Sequence, residues 1–191
     1  KKNVVRLVAS RENMISGGAY KNGDIVSSMK GTSIEVGNTD AEGRLTLADA
    51  IYYASTKVNS KEIIDVATLT GACIVALGTK MIGATTNKQE MLNNLQSVGE
   101  MTGEGIWQLP LNENYREMLK GEVGELKNSI PGGAGAITAG AFLEHFTEGK
   151  DWVHLDIAGP SWTDNAYGYM AYGATGVPVK TLYNYVKGQE A

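Results

Sequence analysis

The sequence holds one cysteine, four prolines and two phenylalanines in 191 residues. A single cysteine excludes an internal disulfide framework and fits a reducing, cytoplasmic setting. Cys73 lies in an apolar run, which suits a small buried residue better than a nucleophile. No apolar stretch reaches bilayer-spanning length and no signal peptide is visible, so no membrane role is read. Net charge is only −4 and Lys and Arg never cluster, so nothing points to nucleic acid. What is plentiful is glycine, at 24 residues, which predicts many loops and close backbone approaches. With 42% hydrophobic and 20% charged residues, the composition is that of a globular protein, and the length suggests one domain over 1–191.

Local patterns divide the chain. Val4 to Ala9 is a β-type run and predicts a strand. Ile25-Val26 and Ser33 to Val36 flank Lys30-Gly31 and read as a hairpin. Apolar positions from Leu45 to Val58 keep helical spacing. Ile63 to Leu69 reads as a buried strand, followed from Gly71 by a short apolar helix. Lys88 to Thr102 reads as an amphipathic helix and Trp107 to Pro110 as an edge strand. Asn114 to Lys120 and Ala136 to Phe146 read as helices, with loop over Gly121 to Gly135. Trp152 to Ala158 alternates and reads as a strand. A Gly/Tyr-rich loop over Gly159 to Gly176 and a closing helix from Pro178 to Lys187 complete the chain. Strands alternating with helices argue for an α/β fold, a layered mixed β-sheet flanked by helices.

One stretch carries more charge chemistry than the rest: Asn38-Thr39-Asp40-Ala41-Glu42-Gly43-Arg44-Leu45. In an extended chain, Asp40, Glu42 and Arg44 project to one face. Two adjacent carboxylates raise each other's pKa unless a cation settles them, and a hard or borderline metal ion does so. The competing reading is a turn in which Thr39 or Asp40 caps the following helix. The stretch is not an EF-hand, because the Asp ladder and the closing Glu are missing. Elsewhere, Pro131 to Ala136 precedes a helix and has the glycines to cradle an anion, but lacks a P-loop lysine. His154 and Asp156 share a strand face and read as a satisfied core pair rather than a catalytic one. No Gly-x-Ser-x-Gly elbow supports a serine hydrolase.

The residues Asn38 to Leu45, with Leu47-Ala48-Asp49-Ala50 after them, resemble the signature of the leucyl aminopeptidase family of di-metal cytosol aminopeptidases. Collinear blocks extend the resemblance: Glu12-Asn13-Met14, Gly23-Asp24, Ala67 to Ala72, Trp107 to Leu111, Trp152 to Gly159 and Tyr172 to Pro178. The resemblance implies a metallo-exopeptidase that releases N-terminal amino acids such as leucine from peptides with a free N-terminus. It implies two divalent ions (Mn²⁺ or Zn²⁺), with Asp40 and Glu42 as ligands and Glu42 bridging. Arg44 would hold a bicarbonate as general base, since a planar fork of donors suits a planar anion. The Leu69 backbone would lie against the reacting peptide. Thr68, Gly71, Ala171 and Ala174 would line the pocket for the N-terminal side chain. The parent is expected to be a cytoplasmic homo-hexamer.

The departures are as informative. The family carries an upstream block with metal-ligating and catalytic lysines and aspartates, and Lys1 to Ser33 does not supply it. Lys1 and Lys2 lie too close to Asn13-Met14 to be those lysines. Ile15 and Asn22 stand where the family usually has proline. The chain also opens without Met. The expectation is the C-terminal portion of an aminopeptidase catalytic domain, with its N-terminal domain and first catalytic block absent. By itself it should be inactive, bind metal weakly and leave a sheet edge uncovered. An alternative is a non-catalytic assembly module that uses its Gly-rich loops for subunit contacts.

Overall fold

The computed structural model describes residues 3–188. Lys1 and Lys2, weighed above as candidate cations, lie outside the described residues. The hairpin β1 (Ile25–Ser27) and β2 (Ser33–Glu35) leads to helix α1 (Gly43–Tyr53), which continues into a π-helical turn over Ala54–Val58. Strand β3 (Glu62–Ala67), helix α2 (Gly71–Leu77), strand β4 (Ile82–Thr86), helix α3 (Gln89–Thr102) and strand β5 (Ile106–Gln108) follow. Helix α4 (Glu113–Glu117), strand β6 (Leu126–Lys127), helix α5 (Gly135–Glu144) and strand β7 (Asp151–Asp156) come next. Strands β8 (Trp162–Thr163) and β9 (Gly173–Ala174) and helix α6 (Val179–Gly188) end the chain.

The main sheet has the order β3-β7-β4-β5, with β7 parallel to β3 and antiparallel to β4. It is therefore mixed and flanked by helices, as the alternation of patterns predicts. A small sheet β1-β2-β6 stands apart, and β8 pairs with β9. The edge position of β5 fits Pro110, which cannot donate to a ladder.

Side chains alternate across the sheet and divide the core in two. Ile63 and Trp152 face α1 and α5, where Ala48, Ile51, Phe142 and Phe146 are buried. Val153 and Leu155 face the other way, onto Leu92 and Leu95 of α3 and Tyr185 of α6. Helix α5 is buried almost all round because it packs against β4, β7, α1, α2 and α4 at once. Its small residues permit that closeness: a Cβ on Gly140 would lie 2.2 Å from Thr85 Oγ1.

Val4 to Ala9 does not form the expected strand. Its pattern supplies apolar side chains, but a strand exists only in a ladder, and among the described residues this run pairs with no sheet. Val4, Val5 and Val8 are consequently exposed. β6, inside the expected Gly121–Gly135 loop, is too short to show a period.

Within the first core lies a buried polar triad. Trp152 Nε1–H donates to Asp65 Oδ2 at 2.7 Å, and His154 Nδ1–H donates to Asp65 Oδ1 at 2.6 Å. His154 does share a face with Asp156, but its partner is Asp65 on the neighbouring strand, because the register sets Asp65 opposite His154. Burial works against the imidazolium. The charge and hydrogen bond of Asp65 outweigh it, Asp156 adds to them, and the His154 pKa is raised. A raised folded-state pKa gives stability that is complete below the unfolded value of about 6.5 and is lost as pH rises through the folded value. Urea midpoints are therefore expected to fall as pH rises above about 6.5, with a shallower fall in His154→Gln. Asp65→Ala strips both partners at once and is expected to destabilise the chain by about 3–5 kcal/mol in the same titration.

Candidate active site

The Asn38–Ala41 segment is a tight turn. Ala41 N–H donates to the Asn38 carbonyl at 3.2 Å, and Asp40 N–H donates to Asn38 Oδ1 at 3.0 Å. Asn side chains favour this self-bonded turn. Thr39 N–H donates to Asn22 Oδ1 at 3.0 Å. Asn22, one of the two departures from proline, thus ties its loop to the turn through a bond that proline could not make.

Asp40 to Arg44 is not extended. Glu42 has helical angles (φ −78°, ψ −33°) and accepts backbone bonds from Leu45 and Thr46, so α1 begins at Gly43 rather than near Leu45. The three charged residues do not share a strand face. Neither Thr39 nor Asp40 caps the helix: the residue in the N-cap position is Glu42, with no side-chain cap. The carboxylate of Asp40 is exposed and that of Glu42 half-buried, while Arg44 turns inward.

Arg44 is buried, and its Nη1–H donates to the Asn128 backbone carbonyl at 2.7 Å. Burial pulls its pKa down to about 10, against the opposing charges of Asp156 and Glu42. It remains a cation at neutral pH. Its Nε is buried without a hydrogen-bond partner among the described residues. The side chain of Asn128, itself fully buried, clamps the turn from beneath. Its Oδ1 accepts from the N–H groups of Gly37 (2.8 Å) and Asn38 (3.3 Å). Its Nδ2 donates to the carbonyls of Asn38 (2.8 Å) and Ala41 (3.3 Å).

The second half of the site is built at the carboxyl ends of β3 and β7, where ligands of open α/β sheets commonly bind. Asp156 closes β7 and is buried. Its Oδ1 accepts from the N–H groups of Leu69 and Ala158, both at 3.1 Å, and its Oδ2 accepts from Thr70 Oγ1–H at 2.7 Å. Thr70 in turn caps α2 by accepting from Cys73 N–H at 3.0 Å. The turn carrying Thr68, Leu69 and Gly71 is thereby fixed, with Thr68 and Gly71 exposed. A Leu69 methyl carbon lies 3.6 Å from the position a Cβ on Gly43 would take, so this turn meets the start of α1. Cys73 is buried beside Asp156; burial first, then that charge, pushes its thiol up to about 11, which fits an inert role.

Ala171 and Ala174 are exposed in the last loop region. Ala174 pairs with Trp162, and Thr175 N–H donates to the Ser161 carbonyl, so this region hangs from the segment that leaves β7. Two clefts, of about 510 Å³ beside α1 and about 730 Å³ beside β2, are lined by none of the expected site residues. Among the described residues no group of three or more His, Cys, Asp or Glu forms a metal-holding cluster. Asn128 and Asp156 are the additions the structure makes. Asp156 stood out in the sequence as a neighbour of His154 within the Trp152 to Gly159 block, without a role of its own, and Asn128 gave no signal inside a glycine-rich stretch.

Comparison with known proteins identifies the family. The cytosol aminopeptidase family, catalytic domain, matches residues 1–183. A probable cytosol aminopeptidase of Clostridium tetani is 56% identical over 97% of this chain and 39% of its own length. One from Treponema denticola is 49% identical over 100% of this chain and 40% of its own. A solved mutant of tomato leucine aminopeptidase superposes with a TM-score of 0.85 at 45% identity, covering 92% of this chain and 34% of that one. The chain thus spans about two fifths of the length of the curated relatives it matches. No helix among the described residues is long and apolar enough to cross a membrane. With the family's catalytic-domain model matched over residues 1–183, relatives about half identical across the whole chain and the fold shared, the chain belongs to the cytosol aminopeptidase family.

Proposed function

We propose that this chain supplies part of the active site of a metal-dependent aminopeptidase that releases N-terminal residues such as leucine from peptides. The observation that carries the reading is Arg44, a buried cation with an unused Nε donor, beside Glu42 in a chain of this family. A buried unpaired donor is costly, and a bound anion would satisfy it. A planar oxyanion such as bicarbonate has the matching shape. Asp40 and Glu42 would contribute two carboxylates to a centre for two divalent ions. The described residues hold no cluster that completes such a centre, and upstream residues of the parent would supply the remaining ligands.

The chain's own contribution is placement. Asp156 takes up the Leu69 N–H and leaves that turn's outer face to a peptide. Thr68, Leu69 and Gly71 would receive the N-terminal residue, and Ala171 and Ala174 would bound its side chain. The small Ala174 leaves room for a branched one. Completion from outside, through upstream residues within a homo-hexameric parent, fits the shared length better than a module used only for assembly.

An assay of this chain alone, with a leucine chromogenic substrate and added Mn²⁺ or Zn²⁺, is expected to show no turnover; activity abolished by Glu42→Ala would contradict that. In the full-length protein, Arg44→Lys should lower kcat about 10²-fold, because an ammonium does not reproduce the guanidinium fork. Kinetics at saturating peptide check this, and an unchanged kcat would remove Arg44 from the site.

A further inference from the structure

Asp40 sits in an exposed turn, and exposed turns are ordinarily loose. This one is held from both sides. The bonds from Asn128 reach Gly37 and Asn38 before Asp40 and Ala41 after it. The backbone of the same residue accepts from Arg44 through its carbonyl and donates to the Glu35 carbonyl at 2.9 Å. One buried residue therefore touches the strand before the turn, the turn itself and the guanidinium after it.

The chemistry of the clamp specifies asparagine. Two N–H donors face one end of the amide and two carbonyl acceptors face the other, so the group must accept and donate in one plane. Aspartate in the same volume would set an acceptor against the carbonyls of Asn38 and Ala41. Alanine would leave all four backbone groups without this partner. Close approach is also required: a Cβ on Gly37 would lie 2.7 Å from the Ser129 carbonyl, so only glycine lets this segment press against the turn.

We propose that Asn128 is a positioning residue that fixes the carboxylates of Asp40 and Glu42 relative to the Arg44 guanidinium. This rests on the aminopeptidase reading of those three residues. Asn128 touches no reacting atom in it; it acts by fixing the turn and the guanidinium that do the binding.

The test uses the full-length protein in wild-type, Asn128→Ala, Asn128→Asp and Asn87→Ala forms. Asn87 is the matched control, since it bridges β4 and β7 by accepting from Trp152 N–H and donating to the Lys150 carbonyl away from the site. Both Asn128 variants are expected to lose about 10–100-fold in kcat with KM changed less than about threefold, as for other supporting partners of an active site. Asn87→Ala should lower the melting temperature and leave kcat unchanged. Hydrogen exchange on the wild type needs no variant to fold: the amides of Gly37 and Asn38 should be protected although both residues are exposed. Asn128 variants with wild-type kcat, or equal loss of kcat in Asn87→Ala, would overturn the positioning role. Unprotected amides at Gly37 and Asn38 would overturn the clamp itself. A wild-type protein without peptidase activity would instead overturn the aminopeptidase reading, and the exchange result would still judge the clamp separately.

Discussion

The parallel register of β3 on β7 is the constraint on which the rest depends. It sets Asp65 opposite His154 and Ala67 opposite Asp156. Side chains alternate, so a slip of one residue would carry Asp65 into the aliphatic layer of Ile64 and Val66. The same slip would take the β3 end away from Asp156, and with it the anchored turn at Leu69 and Thr70. Core and candidate site are thus two readings of one pairing: the triad locks the middle of the strands, and Asp156 acts at their ends.

That arrangement also explains how so much charge survives burial. Asp65, His154, Asp156 and Arg44 are all nearly inaccessible, yet each interacts with an opposite charge. Isolated, each would be driven toward neutrality. Together they alternate in sign from the centre of the sheet toward the start of α1. Arg44 still shows the strain of burial in a pKa of about 10, and Asp156 and Glu42 limit how far it falls.

Elements with a long period or strong punctuation were legible in the sequence. The hairpin, α2, α3, α5, β7 and the mixed α/β class follow from spacing, turn residues and β-branched runs. Val4 to Ala9 failed because a strand depends on a neighbour that no local pattern describes. The Asp40–Arg44 face failed for a related reason: a self-bonded Asn38 turn starts the helix early, and strand periodicity does not apply there. The signature located Asp40, Glu42 and Arg44, but not what holds them. Asn128 and Asp156 act through contacts far away in sequence; the strand pattern around Asp156 did not name its partners, and Asn128 had no local pattern at all.

Such distance has a consequence for folding order. Gly37 and Asn128 are 91 residues apart, and α1 through α4 lie between them. Closing a loop of that size costs entropy before its contacts repay it. The hairpin, α1 and the β3–α2 unit can each form from nearby residues, but the carboxylate turn cannot reach its final shape until β6 has docked beside β2. The part of the chain richest in chemistry therefore takes its clamped form late, after the β2–β6 pairing that brings Asn128 beneath the turn.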